Sequence, residues 1–330
     1  MEKKWLNDKV TYDQHYDPKL SPRFSEIATF MRAPYAQELA GVEIAFAGVP
    51  WDGGVTVRPG ARFGPREIRN QSTYLRMVHH VLRTSPFDLC TIADAGDVRF
   101  AGYLDNVVAQ VEIETFFDRF AATGTVPLSA GGDHSMTYPI LRAIAKTQPV
   151  GLVHVDAHTD TWGTVMGAEF NHASQIRSAI ENGLVDPHRV VQIGIRGPQN
   201  ASGAWDYSSE QGIRVIAMEE FEDLGVPGVI SEVHRVVGKG PTYLTFDVDG
   251  LDAVYVPGTG TPEVGGITSR EAIRLLRGLN GIDFVGADLC EVAPPYDVSD
   301  VTSFLAANLM FDILCLLAEA VVRRRQGAGT

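Results

Sequence analysis

The chain has 330 residues, of which 45% are apolar and 21% charged, with three cysteines and a formal net charge of −13. That balance belongs to an ordinary globular protein with a sizeable core. It excludes a disulfide framework or a CxxC metal site and argues against a surface built for nucleic-acid phosphates or anionic lipid.

The N-terminus, MEKKWLNDKV, lacks the apolar run of a signal peptide, so a cytoplasmic protein with a polar arm to about Arg23 is expected. Beyond it, short runs rich in Val, Ile, Leu and Phe alternate with amphipathic segments of helical length, the pattern of a parallel sheet covered on both faces. Strands are predicted at 42–48, 126–130, 150–155, 190–195, 213–217, 242–247 and 284–289, with an eighth at 89–95. Helices are predicted at 105–122, 138–146, 173–182, 228–237 and 269–279, and a last one, capped by Thr302 or Ser303, runs to Arg325. Asn308, Asp312 and Glu319 interrupt the apolar stretch of that helix, which disfavours a membrane span. The triplet Arg323 to Arg325 reads as a solvated terminus at the negative end of its dipole. Cys90, Cys290 and Cys315 read as core fillers. No repeat or linker divides the chain, so a single domain over 1–330 is expected.

Four predicted strands end in acidic or imidazole residues, and ligands of open α/β sheets bind at the carboxyl ends of strands. "SAGGDHS" delivers His134, "VHVDAHTD" delivers Asp156, His158 and Asp160, "LTFDVDG" delivers Asp247 and Asp249, and "GADLCEVAPP" delivers Glu291. Residues two apart on an extended backbone share a face, so Asp156, His158 and Asp160 point together, as do Asp247 and Asp249. Four carboxylates so close repel one another unless cations intervene, and two divalent ions cancel four negative charges. One D-x-H-x-D is a weak signal; the joint pattern is specific.

The segments "AGGDHS", "VHVDAHTD" and "TFDVDGLDAVYVPGTGTPEVGG" resemble the signatures of the ureohydrolases, the arginase and agmatinase family. Upstream, "GVPWDGGVTVRPGARFGPREIR" and "PRFSEIATFMRAP" resemble the bacterial agmatinase and guanidino-acid hydrolase branch. The resemblance implies a three-layer α/β/α arginase-like fold with a central, mostly parallel sheet of about eight strands. It implies two divalent ions, one held by His134, Asp156, Asp160 and Asp247 and the other by Asp156, His158, Asp247 and Asp249. Manganese is the family's usual metal, with nickel or cobalt open to such a ligand set. A two-metal site makes hydroxide available near neutral pH, for attack on a guanidinium that Glu291 grips through two parallel N–H bonds. His172, in "AEFNHAS", takes the place of the proton-shuttling histidine, and Asp133 steers His134 or the loop backbone. A homo-oligomer, trimer or hexamer, is implied as well.

The segment 161–171 (TWGTVMGAEFN) is where the resemblance implies that recognition of the substrate's tail varies, and it lacks the polar pattern that arginases use on an α-amino acid. Trp162, Met166 and Ala173 are the expected tail contacts, and a carboxylate tail would find its cation in Arg58 or Arg196. The expected substrate is a small guanidino compound: 4-guanidinobutyrate, 3-guanidinopropionate, agmatine, or guanidine, an alkylguanidine or a biguanide. A formimino hydrolase releasing formamide and a non-catalytic subunit of the same fold are the alternatives. The glycines of "GTGTPEVGG" either let a loop approach the site or serve ordinary turns.

Overall fold

Runs of small and β-branched residues, buried on both faces, build the sheet. The computed structural model describes residues 22–327; the N-terminal arm to residue 21 lies outside them. The strands are β1 (Ile44–Val49), β2 (Ile92–Asp97), β3 (Val126–Gly131), β4 (Val150–Val155), β5 (Val185–Ile195), β6 (Arg214–Ala217), β7 (Thr242–Asp247) and β8 (Phe284–Cys290). They form one sheet in the order β2-β1-β3-β8-β7-β4-β5-β6, with every pairing parallel. The helices in chain order are α1 (Gly64–Ser72), α2 (Pro86–Leu89), α3 (Asn106–Thr123), α4 (Thr137–Ile144), α5 (Gln175–Glu181), α6 (Asp206–Glu210), α7 (Met218–Val237), α8 (Ser269–Gly278) and α9 (Val301–Gly327).

Successive side chains of a strand point to opposite faces, and the core divides accordingly. Phe46 and Val153 join the apolar cluster under α1, α7, α8 and α9, while Ala45, Ala47 and Leu152 join the one under α3, α4 and α5. This is the expected three-layer arrangement. By length and composition α9 passes for a membrane span, but most of its apolar stretch is buried inside the molecule, so it is a core helix.

Several boundaries depart from expectation for local reasons. Pro86 opens the short helix α2, which delays β2 to Ile92. The first turns of α7, from Met218, were hidden because Gly225 (φ 62°) and Pro227 break the helical pattern. Neither Thr302 nor Ser303 caps α9. Both lie inside the helix, and the Thr302 hydroxyl accepts the Gly258 N–H at 2.9 Å. The cap is Asp297, whose carboxylate accepts the N–H groups of Thr302 and Ser303, each at 2.9 Å. Nor is the basic triplet a solvated terminus: Arg323 donates to the Ile282 carbonyl at 2.7 Å, Arg324 to Asp283 at 2.5 Å and Arg325 to the Leu89 carbonyl at 2.6 Å. The end of α9 is thereby tied to the loops that enter β8 and β2.

Two consequences concern the site. The carboxyl ends of β3, β8, β7 and β4, the strands that carry the expected functional residues, are neighbours in the middle of the sheet. The loop from β7 is also drawn onto the start of α9, where a Cβ on Gly258 would fall 2.7 Å from Asp297 Cβ, so at this position glycine is required for close approach. Asp297→Ala is expected to destabilise the protein by about 1–2 kcal/mol, the usual cost of a lost helix cap. Urea unfolding checks it: an unchanged midpoint would show that the start of α9 is held by other contacts.

Candidate active site

The site begins where β3 runs out. A Cβ on Gly132 would lie 2.0 Å from the Trp51 carbonyl oxygen, so this glycine lets the loop after β1 close onto the strand end. Asp133 fastens that loop by accepting the Gly54 N–H at 2.7 Å and the Ser135 N–H at 2.9 Å. It holds backbone, as expected, and its pKa is pushed up to about 6 by burial and by Glu291, against the pull of His172.

His134 is buried, and its two ring nitrogens meet opposite chemistry. Nε2 lies 2.7 Å from the Thr245 hydroxyl, which donates its own proton to Asp288 Oδ1 at 2.6 Å. Thr137 and Tyr243 donate to Asp288 Oδ2 at 2.9 and 2.8 Å. With its proton committed, Thr245 can only accept from His134, so Nε2 carries the ring hydrogen and Nδ1 presents a lone pair. That lone pair faces Asp160 Oδ2 at 3.0 Å, Asp156 Oδ2 at 3.1 Å and Asp247 Oδ2 at 3.2 Å, and no hydrogen bond satisfies Nδ1. Four electron-rich atoms therefore converge out of water, an arrangement that a cation resolves. Burial works against charge on this ring, yet Cys290 and the three aspartates hold its pKa well above the ordinary value, so the surroundings call for positive charge at Nδ1.

A second seat adjoins the first. His158 Nδ1 lies 3.2 Å from Asp249 Oδ2 and 3.4 Å from Asp156 Oδ1, so Asp156 offers one oxygen to each seat. Two groups of ligating atoms close enough to hold metal coincide with these seats, His134, His154, Asp156 and Asp160 on one side and Asp156, His158 and Asp249 on the other; a third among the described residues, His134, Asp288 and Cys290, lies on the far side of His134. Asp247 faces the first seat through Oδ2, while its Oδ1 accepts the Asp249 N–H at 2.8 Å. Burial followed by repulsion from Asp249 and Asp156 drives the Asp247 pKa well up. The donors fit two divalent cations: carboxylate oxygens and imidazole nitrogens, mutually repelling and short of protons.

Supporting residues that sequence reasoning missed hold this set. His154 Nε2 lies 2.8 Å from Asp156 Oδ2, Gln175 donates to Asp160, and Thr261 donates to Asp249 Oδ2 at 3.0 Å. The alternation that grouped residues 156, 158 and 160 extends back to His154 and pairs Thr245 with Asp247, so two of them carried a signal. Asp288 and Gln175 carried none, because their partners are remote in sequence.

Glu291 follows β8 at φ 63°, a conformation uncommon for a residue with a side chain. Its Oε1 accepts the His134 N–H at 2.9 Å and faces His172 Nδ1 at 3.0 Å; its Oε2 is buried and without a partner. The far side of His172 is held by Thr56, with Oγ1 2.8 Å and the backbone N 3.1 Å from Nε2. Burial opposes charge on His172, but Glu291, Asp133 and Asp160 prevail and raise its pKa to about 9.

Of the expected tail contacts, Trp162 and Ala173 pair at the base of one loop, where the Trp162 N–H donates to the Ala173 carbonyl at 2.9 Å, next to Asp160 and His172. Met166 stands at the loop's tip, 85% exposed. Arg196 is not a cation for a substrate tail. Its guanidinium is spent on the backbone carbonyls of Gly194, Asp249, Gly250, Leu251, Glu263 and Val264, at 2.8–3.2 Å, and clamps the loop after β7. Arg58 is exposed, lies 5.3 Å from the Tyr296 ring centre, and borders Gly260, whose added Cβ would be 3.1 Å from the Arg58 carbonyl oxygen and 3.5 Å from Glu291 Oε2.

A parallel α/β sheet with two adjoining acidic ion seats and a free buried carboxylate at the ends of its central strands is the architecture of a metal-dependent hydrolase. The model of the Arginase family matches residues 42–316. Guanidinopropionase of Pseudomonas aeruginosa is 50% identical, over 94% of this chain and 98% of its own, and guanidinobutyrase of the same organism is 46% identical over 92% and 96%. The solved structure of proclavaminate amidino hydrolase from Streptomyces clavuligerus superposes with a TM-score of 0.88 at 38% identity, covering 91% of this chain and all of that one. The chain belongs to the arginase family, whose members are binuclear-metal amidinohydrolases, and it is an enzyme of that kind, a hydrolase of guanidino compounds.

Because Asp288 fixes the tautomer of His134 through Thr245, Asp288→Asn is expected to weaken retention of added Mn2+ by about 10- to 100-fold. Elemental analysis after graded chelation reads this directly; retention equal to wild type would remove Asp288 from the argument.

Proposed function

We propose that the preferred substrate is a short guanidino acid, 3-guanidinopropionate or 4-guanidinobutyrate, cleaved to urea and an amine. Agmatine, guanidine itself, alkylguanidines and biguanides form the rest of the class it tests. The observation that carries the reading is the unpartnered Oε2 of Glu291, a residue whose other oxygen accepts the N–H of His134 at 2.9 Å. A guanidinium is a planar cation whose paired N–H groups match a carboxylate edge. Relatives named guanidinopropionase and guanidinobutyrase support the acid tail, and Arg58, exposed on a loop whose backbone borders Gly260 next to Glu291, is the cation we assign to it.

His134, Asp156, Asp160 and Asp247 would hold one divalent ion, and Asp156, His158, Asp247 and Asp249 the other. Manganese suits this oxygen-rich set best, with nickel or cobalt next. Two such ions supply the Lewis acidity that lets a water ionise near neutral pH. Glu291 turns the guanidinium and holds it, and His172, charged and pinned to Glu291, gives a proton to the departing amine. Trp162 and Ala173 shape the space for the tail. We further read the protein as a cytoplasmic homo-oligomer, trimer or hexamer, with 1–330 as one domain; three buried unpaired thiols suit a reducing compartment.

A urea-release screen over the guanidino panel, on protein reconstituted separately with Mn2+, Ni2+ and Co2+, tests the reading. Urea from a guanidino acid and two ions per chain are expected; formamide from a formimino substrate in place of urea would replace it. Glu291→Gln should lower kcat/KM on every guanidino substrate by about 10- to 100-fold, through loss of a charge-assisted pair. Trp162→Ala should instead reorder the tails and leave metal content intact. A Trp162→Ala enzyme with altered metal content and an unchanged ranking would exclude that loop from tail recognition.

A further inference from the structure

The loop between β1 and α1 brings an unassigned residue to His172. Asp52 closes the loop by accepting the N–H groups of Gly60 at 2.7 Å and Arg62 at 3.2 Å. Asp133 anchors it at Gly54, whose carbonyl in turn accepts the His172 N–H at 3.1 Å. Thr56, half-buried between these anchors, is thereby held against the imidazole edge that points away from Glu291.

The two contacts of Thr56 make different demands. A backbone N–H only donates, so at 3.1 Å from Nε2 it requires a lone pair there, which makes the neutral ring the Nδ1–H tautomer with its hydrogen on Glu291 Oε1. Once Nε2 gains a proton, the amide no longer has an acceptor. The hydroxyl, at 2.8 Å, rotates: it donates to the neutral ring and accepts from the charged one.

We propose that Thr56 is the positioning residue for His172, its hydroxyl serving both protonation states so that the ring gives its Nε2 proton to the departing amine and regains one from water without turning. This rests on the reading of His172 as the proton donor. The charged and titratable groups facing the ring are Glu291 from the end of β8, Asp133 from the turn after β3 and Asp160 from the loop after β4, and all three favour its charged form. Against them, the Thr56 amide favours the neutral form, and the hydroxyl offsets that preference by accepting from the charged ring. Loss of the hydroxyl therefore lowers the pKa of His172. As the acid form is the active one, activity is lost as pH rises through that pKa, and the alkaline limb of the profile moves to lower pH.

The test compares metal-reconstituted wild type with Thr56→Val, Thr56→Ser and His172→Asn. Thr56→Val should lower kcat by about tenfold or more, keep KM within about twofold and shift the alkaline limb of kcat downward. Thr56→Ser should restore both rate and profile, and metal content should stay at the wild-type level in all variants. Wild-type kcat and pH profile in Thr56→Val, with His172→Asn inactive, would overturn the proposal. So would a Thr56→Ser enzyme as impaired as Thr56→Val, since loop packing and not the hydroxyl would then be at work. A fully active His172→Asn would overturn the role of His172 itself.

Discussion

Mutual repulsion among Asp156, Asp160, Asp247 and Asp249, held out of water at the ends of β4 and β7, is the constraint on which the rest of the structure depends. Buried charges persist only where they are paired or bind metal. Among the described residues the donors that reach these carboxylates each serve a single oxygen and do not neutralise four negative charges. His154 and the backbone N–H groups of His158 and Asp249 serve individual oxygens, while Arg196, the guanidinium within reach of this region, is consumed by carbonyls on the outer side of the loop. The protein thus spends its cationic side chain on holding the loop in place and keeps the carboxylates for ions.

The tautomer of His134 shows how far this preparation extends. Three hydroxyl groups converge on Asp288 from α4 and β7, and one of them, Thr245, passes the constraint to the imidazole. Lone-pair direction at Nδ1 is settled by groups on the far side of the ring, before any ion arrives. The same logic governs His172, where Glu291 and Thr56 grip opposite edges of the ring. In both cases a carboxylate or hydroxyl outside the two ligand sets decides which nitrogen of the neutral ring carries the hydrogen.

The fold was largely legible because parallel strands buried on both faces appear as near-continuous apolar runs, as Ile44–Val49 (IAFAGV) and Val150–Val155 (VGLVHV) do. The acidic residues at their ends were legible for a related reason, since period-two spacing survives for one or two residues beyond a strand. What was hidden lay outside that pattern, in breaks within an element or in partners brought from elsewhere in the chain. Asp297 caps α9 from outside the helix, and Gly225 with Pro227 conceals the start of α7. Arg196 looked available because nothing in its neighbourhood announces that carbonyls of the distant loop after β7 will surround it. Thr56 and Asp288 gained their partners only when the sheet order placed β1, β3, β8, β7 and β4 side by side.

That sheet order also separates two tasks physically. The ion seats and Glu291 rise from four adjacent strand ends, where pairing fixes backbone positions tightly. On the proposed reading the tail would be met by elements that no strand ladder restrains: the loop from Trp162 to Ala173, closed at its base by the Trp162 N–H to Ala173 carbonyl bond, and the loop carrying Arg58. Each apolar contact there distinguishes tails by about 1–3 kcal/mol, whereas a missing polar partner is penalised far more. A carboxylate tail near Arg58 would therefore be discriminated mainly by its charge, and chain length only secondarily by the apolar faces of Trp162 and Ala173. On that reading, substitutions in these loops would change the preferred guanidino compound without disturbing the strand ends that would hold its guanidinium.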